Sequence, residues 1–255
     1  MKKFLNIKDI LQEIKPFDII FFKGTDFVSK TIIDIEVFVE LHKTDKFSHV
    51  GMVLNHDVLP IPQLEKGKWY IWESTCSYSF NGLFDKQPNN IITNTSYFGV
   101  QVRELEDVVK CYLQEEGAEV AWGKLIHNPW HQDNHKYVRK RLLKLFKEND
   151  LKTYNYDIFD LLGAAFPCMR PINRLFYEID VGNRKILSLV TNKIKPETYY
   201  QSQTKLLFCS ELVALILRAF KVIPKTIEPW DVTPMDLLGE RNMETVVHEP
   251  IYFKI

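Results

Sequence analysis

Apolar residues recur along this chain at two spacings, and together they divide most of it into helices and strands. Ile7 to Ile14 follows a helical period and stops at Pro16. Asp18-Ile19-Ile20-Phe21-Phe22 is a compact apolar run closed by Gly24, the pattern of a buried strand. From Ser29 to His42, the residues Ile32, Ile33, Val37, Phe38 and Leu41 share one helical face. Ser48-His49-Val50-Gly51-Met52-Val53-Leu54 reads as a second strand, broken by Asn55-His56-Asp57, and a turn region with Pro60, Pro62 and Gly67 follows. Trp69-Tyr70-Ile71-Trp72-Glu73 is a third strand. Gly99-Val100-Gln101-Val102-Arg103, alternating apolar and polar, is a fourth, and Glu104 to Leu113 reads as a helix.

The pattern changes from Glu116 to Asp150. Trp122, Pro129 and Trp130 lie in an irregular stretch, followed by a basic amphipathic helix from Asn134 to Lys147 with Tyr137, Val138, Leu142, Leu143 and Phe146 on its apolar side. Asp157 to Ala165 is a further helix stopped by Pro167, whereas Leu175 to Lys195 supports no assignment. Leu212, Val213, Ile216 and Phe220 then return at helical spacing, which predicts a helix over Cys209 to Phe220. Thr233 caps a one-turn helix with Pro234 at its first position. Thr245-Val246-Val247 and Ile251-Tyr252-Phe253 can supply the last strands. Helices flanking strands that mostly meander predict an α+β fold, read as a single domain over residues 1–255.

Composition narrows the function classes. An apolar share of 45% is enough for a sizeable core, and 33 basic against 33 acidic residues do not point to nucleic acid as a partner. The four cysteines, Cys76, Cys111, Cys168 and Cys209, are scattered without CxxC spacing, as expected of free thiols in a reducing compartment. The basic start at Lys2-Lys3 is followed by charges at Lys8, Asp9, Glu13 and Lys15, so no signal-peptide apolar region is expected. No run approaches the ~20 apolar residues of a membrane span. A cytoplasmic protein with no transmembrane segment is the resulting expectation.

Cys209 opens its helix, where free backbone N–H groups and the positive end of the helix dipole favour the nucleophilic thiolate. The same cysteine also suits an ordinary core position. A nucleophile needs a base, and that base needs a third group to orient it. Of seven histidines, His49 has the most strand-like setting, with Gly51 leaving room for a close approach. Glu73, at the end of the next strand, can lie beside it if the two strands are neighbours. His127, His131 and His135 have metal-ligand spacing, but Asn128-Pro129 breaks the helix between the first two, so no metal is expected. Lys136, Arg139, Lys140, Arg141, Lys144 and Lys147 read as the wet side of a helix. Trp122, Trp130 and Trp230 suit either an apolar pocket or the core, and Cys76, Cys111 and Cys168 are read as structural.

Ser48-His49-Val50-Gly51-Met52-Val53, Trp72-Glu73-Ser74 and Phe208-Cys209-Ser210-Glu211-Leu212-Val213 resemble the three signature segments of the circularly permuted NlpC/P60 superfamily, with its YiiX/YebB-like and poxvirus branches. Phe17-Asp18-Ile19-Ile20-Phe21 resembles the "GDIIF" opening strand, with Phe17 where glycine is usual. Gly99-Val100-Gln101-Val102-Arg103, Tyr156-Asp157 with Leu161-Leu162-Gly163, and Thr233-Pro234-Met235-Asp236-Leu237 resemble further segments in the same order. The resemblance implies a papain-like fold, a small antiparallel sheet or barrel packed against the cysteine helix. It leaves segments near 116–150 and 174–203 as insertions. It implies Cys209 as nucleophile, His49 as general base and Glu73 as third polar residue of a cysteine hydrolase that needs no cofactor. Its substrates would be peptides or amides. Lipid acyl hydrolysis or transfer, or a catalytically silent binding module, are the alternatives on the same fold.

Overall fold

A computed structural model describes residues 2–24, 47–75, 88–94, 99–131, 134–149, 209–240 and 243–254. All of them belong to one compact unit made of Met1–Thr153 and Leu207–Ile255. Tyr154–Leu206 make up a second unit, which contains no described residue. The helices expected over Ser29 to His42 and Asp157 to Ala165, and the insertion expected near 174–203, lie outside the described residues.

Among the described residues, seven strands form one open sheet: β1 (Lys3–Asn6), β2 (Ile19–Lys23), β3 (His49–Asn55), β4 (Trp69–Thr75), β5 (Gly99–Glu104), β6 (Glu119–Gly123) and β7 (Ile251–Lys254). Their order is β1-β7-β6-β2-β3-β4-β5, antiparallel throughout except for the parallel pair β1–β7. The described helices are α1 (Ile7–Glu13), α2 (Leu105–Leu113), α3 (His135–Asn149) and α4 (Cys209–Ala219), and the fold is α+β. The sheet is therefore larger than the small sheet or barrel expected, and its edge strands β1 and β5 are not paired with each other.

Strand β2 occupies the middle, and Ile19, Ile20, Phe21 and Phe22 are all fully buried. A strand covered on both faces reads as a continuous apolar run rather than an alternating one. On one face, Ile20, Phe22, Val53, Ile71, Val120, Trp122 and Phe253 pack with Ile10, Ile14 and the α2 residues Leu105, Val108 and Val109. On the other, Trp72 meets Phe146 of α3 at 5.4 Å between ring centroids. Arg141 of α3 donates to the Ala219 carbonyl at the end of α4 (2.8 Å), which sets these two helices side by side. Helix α4 buries Leu212, Val213, Ile216 and Leu217 and lies against β3 and β4.

Two segments depart from the sequence reading. Strand β6 sits inside the stretch taken as irregular, paired with β2 from Ile19↔Gly123 to Lys23↔Glu119. Its apolar run is only Val120-Ala121-Trp122, too short to show a period, and pairing with its neighbours is what makes it a strand. On α3, Tyr137 is 49% exposed, and the buried stripe is Val138, Leu142 and Phe146. One residue every helical turn is enough to seat this helix.

The buried carboxylate of Asp18 ties β2 to the turn after β6. It accepts from Trp122 Nε1 (2.9 Å), the Leu125 N–H (3.0 Å) and the Lys15 N–H (2.9 Å). Burial pushes its carboxyl above the ordinary value, and these donors act in the opposite direction. Phe17, immediately before it, has φ 72, a left-handed backbone that side-chain-bearing residues rarely adopt. The segment therefore favours glycine, and this chain carries a buried phenylalanine whose ring meets Phe220 edge-on at 5.0 Å. Ring burial offsets the backbone strain. Phe17→Ala keeps the strain and loses the ring, so it should cost about 3–5 kcal/mol. Phe17→Gly loses the ring but relaxes the backbone, and should cost about 1 kcal/mol less than Phe17→Ala. Urea unfolding of both variants checks the ordering. A glycine variant no more stable than the alanine variant would contradict it.

Candidate active site

Alternation along three neighbouring strands builds the site. Residues 49, 51 and 53 of β3, 71 and 73 of β4, and 101 and 103 of β5 point to one face of the sheet. Glu73 stands opposite Gly51 on one side and opposite Gln101 on the other. His49 precedes Gly51 by two positions and Arg103 follows Gln101 by two, so each reaches Glu73 on a diagonal. Long side chains on diagonal positions of adjacent strands are within reach of one another. Gly51 keeps the space between them clear. A Cβ there would lie 2.5 Å from Ile71 Cγ1 and Cδ1 and 3.0 Å from Glu73 Cβ.

The Glu73 carboxylate divides its oxygens between two partners. Oε1 accepts from Arg103 Nε (2.8 Å) and lies 2.6 Å from Arg103 Nη2. Oε2 lies 2.6 Å from His49 Nε2. Side-chain exposure is 0% for Glu73, 1% for Arg103 and 13% for His49, so this contact is shielded from water. Burial alone would push the Glu73 carboxyl up. The Arg103 charge, then the hydrogen bond and charge of His49, outweigh it and hold the carboxyl below its ordinary value. An ionised carboxylate can only accept, so Nε2 of His49 carries the proton of this bond. Nδ1 is left to face the thiol.

Cys209, the first residue of α4, is partly exposed and within hydrogen-bond reach of His49. The backbone N–H groups of Val50 and Ser210 also act to lower its thiol. Burial would raise the Cys209 thiol, but the His49 charge and hydrogen bond outweigh it, and the thiol lies below its ordinary value. For His49, burial works against the charged form. The Cys209 thiolate outweighs it, with Glu73 adding to the effect, and the imidazole is raised to about 10. Both shifts favour the thiolate–imidazolium form of the pair. Arg103, Glu73, His49 and Cys209 thus form a line of alternating charge running from β5 through β4 and β3 to α4.

The three residues expected from sequence converge here, and Arg103 joins them. Its signal was the polar set Gln101 and Arg103 on an alternating strand. Such a set usually marks a solvated face, yet both side chains are buried here. The other candidates lie apart. His127 is in a turn, His131 ends a short 3₁₀ turn (Pro129–His131), and His135 starts α3 and stacks on Trp130 at 4.1 Å. Among the described residues, no group of three or more His, Cys, Asp or Glu is placed to hold a metal ion. Lys136, Arg139, Lys140, Lys144 and Lys147 are exposed along α3. Trp122 is core. Cys111 lies in α2, where burial raises its thiol. Cys76 and Cys168 lie outside the described residues, as does the side chain of Trp230. No described helix is long and apolar enough to cross a membrane. No family model matches the chain, and no curated protein matches it.

Two outcomes follow for solution chemistry. Iodoacetamide should alkylate Cys209 faster than Cys111 at pH 6, because the Cys209 thiol lies below its ordinary value and the Cys111 thiol above it. Peptide mapping of the alkylated protein separates the two sites, and equal rates at pH 6 would refute the ion pair. Glu73→Gln should cost about 3 kcal/mol at pH 7 by leaving Arg103 without a buried countercharge. The folded carboxyl is depressed, so its contribution is full above the ordinary carboxylate range and is lost as pH falls through the depressed value. The stability gap between wild type and variant should therefore narrow below about pH 4, as read by urea unfolding at several pH values.

Proposed function

We propose that this chain is a cysteine hydrolase that cleaves amide or peptide bonds by acyl transfer through Cys209, His49 and Glu73. The observation that carries the reading is a helix-first cysteine in hydrogen-bond reach of an imidazole whose far nitrogen is held by a buried carboxylate. A thiol that only fills a core has no use for a polarised base behind it. The papain-like, permuted NlpC/P60 assignment is supported by the order of the segments and by the packing of α4 on β3 and β4.

In this reading the Cys209 thiolate attacks the substrate carbonyl carbon. A C–S bond forms, and the carbonyl π electrons move to oxygen. The Cys209 N–H, in a helix turn whose N–H groups have no intrahelical acceptor, stabilises the oxyanion. The imidazolium gives its Nδ1 proton to the leaving amine as the C–N bond breaks, producing a thioester and a neutral imidazole. His49 then takes a proton from water, hydroxide adds to the thioester, and the C–S bond breaks. Acid product leaves, and the thiolate–imidazolium pair is restored. Glu73 accepts from Nε2–H throughout, which fixes the tautomer and the ring orientation.

Cys209→Ala should abolish labelling by a thiol-directed active-site probe and abolish turnover, with an unchanged circular dichroism spectrum. His49→Ala should lower kcat/KM by about 10²–10⁴. A panel of peptide amides and fatty acyl esters assigns the bond cleaved. Preference for the esters would move the assignment to lipid acyl chemistry. Labelling of wild type and Cys209→Ala to the same extent would overturn the hydrolase.

A further inference from the structure

We propose that Arg103 is a positioning residue of this site. By holding one oxygen of Glu73 it keeps the other aimed at His49, and so sets how far into acid Cys209 remains a thiolate. The proposal rests on the reading of Cys209 and His49 as a catalytic pair. Arg103 acts through Glu73 rather than on the substrate.

Without Arg103 only His49 would oppose the burial that favours a protonated Glu73, and a protonated Glu73 would give His49 no charge to favour the imidazolium. Arginine cannot lose its own proton in a protein, so the charge it sets beside Glu73 is permanent. The direction of the contact matters as much as its sign. Nε (2.8 Å) and Nη2 (2.6 Å) both approach Oε1, which leaves Oε2 to His49. A guanidinium presents a rigid planar donor edge to Oε1, whereas an ammonium is a point charge on a flexible stem. The strands enforce the arrangement, because Arg103 stands opposite Ile71 and Glu73 opposite Gln101, so the two reach each other across the ladder. With Arg103 1% and Glu73 0% exposed, water cannot replace either partner.

Several titratable groups of the packed elements face this line. Glu73 meets Arg103 and His49, and His49 meets Cys209. Helix α2 adds Cys111, which feels the charges of Arg103 and Glu115 in opposite directions. Cys111 is raised by burial and remains neutral across the acid range, so it does not supply the transition expected there.

The test is the pH dependence of Cys209 alkylation by iodoacetamide, followed by peptide mapping, in five forms of the full chain. These are wild type, Arg103→Lys, Arg103→Met, Glu73→Gln and the double variant Glu73→Gln with Arg103→Met. Arg103→Met should move the half-point of the profile up by one pH unit or more, a tenfold loss of rate on the acid side. Arg103→Lys should recover only part of that shift. In the Glu73→Gln background, removing Arg103 should add nothing. An Arg103→Met profile that coincides with wild type overturns the proposal, as does an equal shift in the Glu73→Gln background. If Arg103→Met does not fold, the double variant, which removes both charges together, carries the comparison with Glu73→Gln. Coincident profiles support the proposal and a further shift overturns it. A wild-type Cys209 that titrates as an ordinary thiol would instead remove the hydrolase reading, whatever the variants do.

Discussion

A carboxylate with no access to water sits between a permanent cation and an imidazole, and the site depends on that placement. Burial of Glu73 opposes its ionisation, and it remains an anion because Arg103 and His49 each hold one of its oxygens. Desolvation of an unpaired charge costs several kcal/mol, so such a group persists only where the counter-charges are supplied by equally buried neighbours. Here the charges alternate in sign from β5 to α4, and each is partnered by the next. Cys209 is the last member of that line, and the imidazole beside it holds its thiol below the ordinary value.

The sheet supplies the rigidity that this pairing needs. Adjacent antiparallel strands place every second residue on the same face, so no loop has to carry His49, Glu73 or Arg103. Gly51 gives the diagonal between His49 and Glu73 its space, because any side chain there would collide with Ile71. Asp18 anchors the neighbouring strand β2 to the turn after β6, and the buried run from Ile19 to Phe22 supports β3 from its other side. Helix α4 brings its first residue to the start of β3. There its uncompensated N–H groups add to the field of the imidazolium. Scaffold and chemistry share the same residues, since the contacts that order the strands also order the charges.

Much of this is legible in the sequence, and the exceptions have physical causes. His49, Glu73 and Cys209 stood out because each residue type is unusual for its element: a histidine and a glutamate in apolar strands, a cysteine at a helix start. Strand β6 was missed because three apolar residues show no period. Strand β1, with Phe4 53% exposed at the sheet edge, was missed because its pattern is that of a charged terminus. Tyr137 was placed on the buried side of α3 because helical spacing marks a stripe without saying how wide the contact is. Arg103 was passed over because polar residues alternating along a strand usually face solvent. Here the second layer of the protein covers them.

The order of residues along the chain was enough to set most of the described elements, the mixed α+β class and the chemical types available to the site, because periodicity and residue type are local properties. Which strand lies beside which, and therefore which charge neutralises which, was settled by tertiary packing alone. Residues 49, 73, 103 and 209 are far apart in the polymer, and only the sheet register and the seat of α4 bring them within a few ångströms. The direction of each pKa shift followed from that proximity, since a pKa is set by burial and neighbouring charge, and neither exists until the chain is folded.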